Sequence, residues 1–301
     1  MAGRSDVQQF NRGIKLPAPF VRHWHAYLYY SDVCKSGSRE VVKATLESIV
    51  RSPRRVTVAI LKRARDLIAP PLCLACRRPV ASDGGLCATC WRELRFIDRP
   101  YCSVLGTPFA YDIGPEAISA DAIANPPVFD RARAAAVYTG PARDLVHRLK
   151  YSDRADLARW LGRWMVRAGR DLLTDADVIL PVPLYRGRLW VRRFNQAALL
   201  AQAIGKLADV PVETSWLQRS RATDSQVGLT ANQRKTNVRG AFRVCLPVDR
   251  DLKNKRIVLV DDVLTTGSTV EACARALRRA GAKRVDVLVF ARVVPGQENA
   301  I

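Results

Sequence analysis

The sequence predicts an α/β fold in which a parallel sheet is flanked by helices, preceded by a small module rich in cysteine. Two observations support this fold class. From about residue 130 onward, continuous apolar runs alternate with amphipathic helical patterns, as in parallel sheets that are covered on both faces. Before them, residues 73–90 contain two Cys-x2-Cys pairs, a spacing typical of a metal-bound module and not of a core strand or helix.

The alternating region contains four predicted strands with helices between them. The apolar run at 257–262 is the clearest strand, and Gly281 closes the helix that follows it. We detect no internal repeat. The predicted elements are strand 131–139, a helix beginning at 141, helix 156–173, strand 177–184, helix 195–208, strand 257–262, helix 269–282 and strand 284–293.

Three segments are expected along the chain. Residues 1–55 have weak periodicity and are predicted to form a poorly ordered extension. An amphipathic helix stopped by Pro70 and Pro71, together with the cysteine module, makes up residues 56–112. The sheet-forming domain is predicted at 130–295.

Composition limits the environment and the partners of the chain. It has 301 residues and a formal net charge of +21, which favours a polyanionic partner such as nucleic acid, phosphates or an anionic membrane surface. An arginine-rich composition without functional meaning explains the same charge equally well. No 18-residue apolar run and no secretion signal are found, so we expect a cytoplasmic protein without stable membrane insertion.

The cysteine module has the spacing of a zinc site. Cys73, Cys76, Cys87 and Cys90 form two tight turns separated by ten residues, and each turn can direct two thiolates at one tetrahedral Zn²⁺. Because all four ligands come from protein, the zinc would be structural. A redox dithiol is the weaker alternative. Cys102 resembles the start of another such turn, but Leu105 occupies its partner position, so a second zinc is not expected.

The stretch "VLVDDVLTTGST" places two carboxylates at the end of a buried strand. Ligands of open α/β sheets bind beyond such strand ends, and here Asp261 and Asp262 precede a Thr/Gly/Ser turn into a helix. That turn and the helix N-terminus can hold a phosphate, while the acids hydrogen-bond sugar hydroxyls. A helix N-cap would need only one acid, and a Walker A loop is excluded because its motif is absent. A magnesium-binding acidic pair remains compatible with the sugar-phosphate interpretation.

This stretch resembles the phosphoribosyl pyrophosphate (PRPP) binding motif of type I phosphoribosyltransferases. Three further segments and the cysteine module together resemble the ComF family, the competence protein F group, over about residues 57–295. The segments are "HRLKYSDRADLA", "PVPLYRGRLWVRRFNQAALLA" and "RATDSQVGLTANQRKTNVRGAF". The resemblance implies a type I phosphoribosyltransferase fold with a zinc ribbon, Mg²⁺ bound with PRPP, and a link to competence and DNA uptake.

The resemblance also assigns roles to residues. Asp261 and Asp262 would bind the ribose 2′ and 3′ hydroxyls and, with Arg192, be catalytic, while residues 181–188 correspond to the pyrophosphate loop. Arg193 stands where many relatives carry glycine. The remaining PRPP-binding candidates are Thr265, Thr266, Gly267, Ser268, Thr269, Arg186, Arg193, Asn195 and Gln196. Thr223, Gln226, Arg234 and Asn237 fall in the segment that corresponds to a flexible loop.

The charge of the predicted loops agrees with a diphosphate ligand. Residues 185–240 hold ten Lys/Arg against three Asp/Glu, and guanidinium forks suit phosphate oxygens. A helix start with a solvated basic face would also explain "RRFNQA".

Two hypotheses of function follow. One is a Mg²⁺-dependent phosphoribosyltransferase that acts on an unknown acceptor by substitution at ribose C1. The other is a non-catalytic, PRPP-sensing scaffold that binds single-stranded DNA in natural transformation.

Overall fold

The computed structural model describes residues 70–151, 156–185, 194–220 and 240–296. The expected extension at 1–55 and the amphipathic helix before Pro70 lie outside these residues. The domain boundaries proposed from sequence therefore stay predictions.

The core of the molecule is the parallel sheet predicted from the apolar runs. Strands β1, β2, β5 and β6 pair in parallel in the order β1-β6-β5-β2, and β3 and β4 form a separate antiparallel pair. The short β3–β4 pair was not predicted. The bounds are β1 Ala132–Val137, β2 Val178–Pro181, β3 Leu217–Arg219, β4 Phe242–Val244, β5 Arg256–Leu264 and β6 Arg284–Arg292.

Seven helices are found in the described residues. The predicted helix 156–173 is in fact two helices, α4 and α5, separated by Gly169, since glycine is a poor residue for a helix interior. The predicted helix at 195–208 is confirmed, with Asn195 as its N-cap. The bounds are α1 Ala88–Glu93, α2 Ala120–Ala124, α3 Gly140–Tyr151, α4 Asp156–Ala168, α5 Arg170–Leu173, α6 Gln196–Ala208 and α7 Ser268–Arg279.

Each face of the sheet has its own apolar core. Val258 and Val260 of β5 belong to the core formed with α3, α4 and α6. Ile257 and Leu259, which point to the other face, belong to the core formed with α7 and the β3–β4 pair. This alternation along β5 fixes the face on which each later residue of the strand lies.

Strand β5 extends two residues beyond its predicted end at Asp262. Asp261 still pairs with Val289 of β6, and Val263 pairs with Ala291. The two aspartates therefore lie inside a hydrogen-bonded strand, and their side chains leave it on opposite faces. Asp262 shares the face of α3, and Asp261 shares the face of α7.

The cysteine-rich segment docks on the free edge of β1. Residues 95–97 form a short antiparallel extension of the sheet, in which Ile97 N–H donates to Ala135 O (3.0 Å) and Val137 N–H to Arg95 O (2.8 Å). The extension covers an edge that would otherwise expose unpaired backbone groups. In the residues that the structure describes, no helix is long and apolar enough to cross a membrane.

Candidate functional site

The four predicted zinc ligands come together in the structure. The sulfur atoms of Cys73, Cys76, Cys87 and Cys90 all lie within 4.8 Å of one another, and the Sγ atoms of Cys76 and Cys87 are 3.5 Å apart. A tetrahedron with Zn–S distances of 2.3 Å has edges of about 3.8 Å, so the cluster fits one zinc ion. Among the described residues, no other group of three or more metal-ligating side chains converges in this way.

The backbone around Cys73 favours the thiolate that zinc requires. Burial of this thiol would by itself raise its pKa, but hydrogen bonds from the backbone of Cys76, Cys87 and Ala75 lower the pKa to about 6. The Cys87 N–H, for example, lies 3.3 Å from the sulfur of Cys73. A ligand that is already deprotonated near neutral pH binds zinc without competition from a proton.

A second ribbon, residues 101–124, repeats the first ribbon, residues 72–93, without its metal ligands. Cys102 takes the position of Cys73: in each case the backbone N–H donates to the carbonyl oxygen five residues on, that of Thr107 for Cys102 and that of Arg78 for Cys73, both at 2.8 Å. The prediction that the chain has no internal repeat is therefore wrong. Only one of the four cysteines is kept in the repeat, which is why spacing alone did not reveal it.

Serine and apolar residues replace the other ligands of the second ribbon. Ser119 caps α2 as Cys87 caps α1, and its N–H lies 3.2 Å from the sulfur of Cys102. Leu105 donates its N–H to the same sulfur at 3.3 Å. The second ribbon thus lacks the set of four soft ligands that a zinc site needs.

The acidic pair lies near the carboxyl end of β5, and the strand ends two residues after Asp262. The backbone N–H of Asp262 donates to Asp261 Oδ1 at 2.8 Å. Asp262 is 8% exposed, and its Oδ2 lies 3.0 Å from Lys150 Nζ. Each carboxylate therefore has one oxygen engaged by the protein.

Asp261 is unusually easy to protonate. Its burial and, next in size, the neighbouring charge of Asp262 raise its pKa to about 7, although Lys150 and Arg219 act in the opposite direction. A carboxyl whose pKa is raised by burial and by a specific charged neighbour is typical of functional sites.

The predicted anion-binding turn follows the acids. Gly267 adopts a left-handed conformation (φ +79°) at the cap of α7 and gives the helix no side-chain cap. The first backbone N–H groups of α7 therefore remain directed at this position together with the positive end of the helix dipole. Thr266 Oγ1 and Ser268 Oγ lie 3.0 Å apart, while Thr265 is exposed and Thr269 half-buried beside them.

Asn195 and Gln196 lie at the start of α6, next to the end of β2. Asn195 caps the helix by accepting the N–H of Ala197 and donates to Val182 O, both at 3.1 Å. It thus holds the loop after β2 against α6. Gln196 is 2% exposed, and in the described part of the chain its Nε2 finds no hydrogen-bond partner.

Several predicted site residues lie outside the described residues. Of the candidate pyrophosphate loop, the structure describes residues 181–185. The candidates outside the described residues are Arg186, Arg192 and Arg193, and Thr223, Gln226, Arg234 and Asn237 of the predicted flexible loop.

The structure adds two cations that the sequence predictions missed. Lys150 reaches Asp262 from the last turn of α3. Its burial would lower its pKa, but the charges of Asp262 and Asp261 outweigh that effect and raise it. Arg219 ends β3, stands 5.4 Å from the ring centroid of Phe242 and is close enough to lower the pKa of Asp261. Lys150 lies inside the segment "HRLKYSDRADLA", and the resemblance of this segment to the ComF family was the only feature of the sequence that pointed to this lysine.

Family models match both parts of the chain. The double zinc ribbon domain matches residues 64–122, which include both ribbons described above. The phosphoribosyl transferase domain matches residues 177–299, which include the acidic pair and the turn. The predicted fold, a phosphoribosyltransferase sheet with an N-terminal zinc ribbon, is confirmed.

Relatives match over most of the chain. The DNA utilization protein YhgH of Escherichia coli (strain K12) is 36% identical over 234 residues, which are 76% of this chain and 100% of that protein. The protein of the same name from Salmonella typhimurium is 37% identical over 235 residues, with the same coverage of both chains. Competence protein F of Haemophilus influenzae is 31% identical over 226 residues, or 73% of this chain and 96% of that protein. The chain therefore belongs to the ComF family, the competence protein F group.

Proposed function

We propose that the carboxyl end of β5 binds PRPP and that the protein transfers its phosphoribosyl group to an acceptor. The observation that carries this proposal is the acidic pair near the end of β5, followed closely by an anion-binding turn. Asp261 and Asp262 keep one oxygen each for the ribose hydroxyls, and the cap of α7 at Gly267 receives the 5′-phosphate. A sugar that carries a phosphate fits both halves of this arrangement at once.

The residues present also fit Mg²⁺ bound together with PRPP. Mg²⁺ prefers oxygen ligands, keeps several waters and is usually held by substrate phosphates with one or two carboxylates. Asp261 and Asp262 supply carboxylate oxygens beside the proposed ligand. When bound, the ion would neutralise charge on the departing diphosphate.

In the proposed reaction the bond from ribose C1 to the diphosphate oxygen breaks, and a bond from C1 to the acceptor forms. The sugar passes through a state with positive charge at C1, which the nearby carboxylates stabilise. Asn195 keeps the loop after β2 in place, so that this loop can approach the diphosphate. Catalysis is then mainly positioning and charge stabilisation.

The release of pyrophosphate from PRPP tests this activity. The chain is incubated with PRPP, Mg²⁺ and panels of bases, amines or single-stranded DNA. We expect release with at least one acceptor class and its loss in Asp261→Asn/Asp262→Asn. Asp249→Asn, at an exposed aspartate that is not part of the acidic pair, is the matched control and should keep the activity. Release that is unchanged in the double variant would contradict the assignment.

A second function, binding of single-stranded DNA, is favoured by an aromatic and basic surface on the first ribbon and α4. Trp91 is 55% exposed and lies 6.5 Å from Trp164 between ring centroids. Arg163 stacks on Trp160 at 4.6 Å. Aromatic rings that stack on bases, with arginines for the backbone, are the usual elements of such a surface, and the relatives are named for DNA utilization and competence.

Fluorescence anisotropy with a labelled oligonucleotide at several salt concentrations tests the DNA hypothesis. We expect affinity to fall steeply with added salt and to drop in Trp91→Ala and Arg163→Ala. The Asp261→Asn/Asp262→Asn variant should bind DNA as the wild type does. Salt-independent binding, or binding unaffected by the two surface substitutions, would refute this interface.

A further inference from the structure

We propose that Lys150 is the positioning residue of the acidic pair: it fixes the Asp262 carboxylate so that the pair recognises a vicinal diol. The inference rests on the proposed function, because it concerns how the same site distinguishes ribose from other sugars.

Helix α3 carries Lys150 and starts next to β1, which lies two strands away from β5 in the sheet. The helix begins at Gly140, directly after β1, and its last turn reaches the end of β5, although β6 lies between these strands. A helix of 12 residues is about 18 Å long, and two strand spacings amount to about 10 Å, so α3 spans this distance across the carboxyl edge of the sheet.

Packing determines where the last turn of α3 lies. Leu145, Val146 and Leu149 are at most 1% exposed and belong to the core shared with Val258 and Val260 of β5. Asp262 follows these valines on the same face of β5. The lysine and the carboxylate are thus brought together by the helix and the strand that carry them.

The contact leaves a specific set of acceptors. Lys150 Nζ holds Asp262 Oδ2 at 3.0 Å, and the backbone N–H of Asp262 holds Asp261 Oδ1 at 2.8 Å. Within the described residues, Asp262 Oδ1 and Asp261 Oδ2 then remain as acceptors for a ligand. A vicinal diol has two O–H donors, so the number of remaining oxygens matches the number of donors.

Without the ammonium group this match is lost. The Asp262 side chain would be free to rotate about its terminal torsion, and its charge would stand unpaired next to Asp261 in a buried place. Neither change affects the turn at Gly267, which the proposed function assigns to the 5′-phosphate. The effect of removing Lys150 should therefore fall on the hydroxyls of the ligand and not on its phosphate.

Calorimetry with ribose 5-phosphate and 2-deoxyribose 5-phosphate separates these contributions. Because a hydrogen bond to a charged group is worth about 1.5–3 kcal/mol, the wild type should bind ribose 5-phosphate about 10-fold or more tightly than the deoxy sugar. In Lys150→Met this ratio should fall to about 3-fold or less. Lys150→Arg, which keeps the charge, should recover part of the ratio.

A matched control lies on the same helix. Arg143→Met removes an exposed cation from α3 and should leave the ratio unchanged. If Lys150→Met does not fold, as judged by its melting transition, Lys150→Gln, whose side chain is shorter and uncharged, should lower the ratio in the same direction.

Each remaining outcome overturns the inference in a recognisable way. A ratio that is kept while both sugars bind more weakly would make Lys150 a phosphate contact. A ratio and affinity that are both unchanged would make its ion pair purely structural. If neither sugar phosphate nor PRPP binds the wild type, the proposed function fails, and the inference with it.

Discussion

Ser119 donates both its backbone N–H and its hydroxyl to the sulfur of Cys102, at 3.2 and 3.3 Å. The backbone contact repeats the one between Cys87 and Cys73 in the first ribbon, at 3.3 Å. In the first ribbon the two positions belong to a cluster of four sulfurs, and in the second they form two partly buried hydrogen bonds. The same ribbon geometry is therefore kept with two different chemistries.

We predict one zinc ion per chain. Elemental analysis of the purified protein should give a zinc-to-protein ratio of one, and Cys76→Ser should reduce it strongly, because three thiolates and a hydroxyl form a much weaker site. Cys102→Ala is the control and should keep the zinc while lowering the melting temperature, since Cys102 is fully buried. Two zinc ions per chain, or zinc loss in Cys102→Ala, would show that the second ribbon is a metal site.

Docking of the first ribbon on α4 depends on a close approach at Gly84. A Cβ atom there would lie 1.9 Å from the ring of Trp160, and the backbone has φ +78°. We expect Gly84→Ala to destabilise the protein by about 1–3 kcal/mol through overpacking, in addition to the cost of its conformation. Gly114→Ala separates the two effects, because Gly114 also has positive φ but no atom within 4 Å of the added carbon. Equal losses of stability in urea unfolding would mean that the contact with Trp160 contributes nothing.

The raised pKa of Asp261 makes stability depend on pH. Its pKa is about 7 in the folded protein, above the ordinary carboxyl value that applies to the unfolded chain. As pH rises, the Asp261 carboxyl therefore loses its proton at a lower pH in the unfolded state than in the folded state. The stabilisation present at low pH is lost progressively as pH rises from about 4 to 7. Asp261→Asn removes this loss, and its stability relative to the wild type should increase by roughly 2–3 kcal/mol between pH 5 and pH 8.

Urea unfolding of both proteins at the two pH values checks this prediction. Asp249→Asn serves as the control, since this aspartate is 77% exposed in its side chain and should show no such difference. A relative stability of Asp261→Asn that does not change with pH would contradict the buried, proton-binding state of Asp261.

The sequence predicted the features that depend on local pattern. Continuous apolar runs identified all four strands of the parallel sheet, and the spacing of Cys73 to Cys90 identified the cluster of sulfurs. The acidic pair and its turn were found for the same reason, because strand, acids, turn and helix follow one another directly in the chain.

Features that depend on distant contacts were missed. The three-residue strands β3 and β4 are too short to show a period, and they pair across the segment between them. The last residues of β5 belong to the strand because β6 pairs with them, although the sequence pattern predicted that the strand ends at Asp262. Lys150 is separated from Asp262 by more than a hundred residues, and only the packing of α3 on the sheet reveals its place in the site.

The proposed function requires that the acidic pair and the turn after β5 bind PRPP. Isothermal titration calorimetry of the full chain with PRPP and Mg²⁺ tests this requirement, with Asp261→Asn/Asp262→Asn as the site variant and Asp249→Asn as the control. We predict saturable binding to the wild type and to the control, and an affinity at least 10-fold weaker in the double variant, since each lost hydrogen bond to a carboxylate costs about 1.5 kcal/mol or more. Equal affinity in all three proteins, or no binding to the wild type, would contradict it.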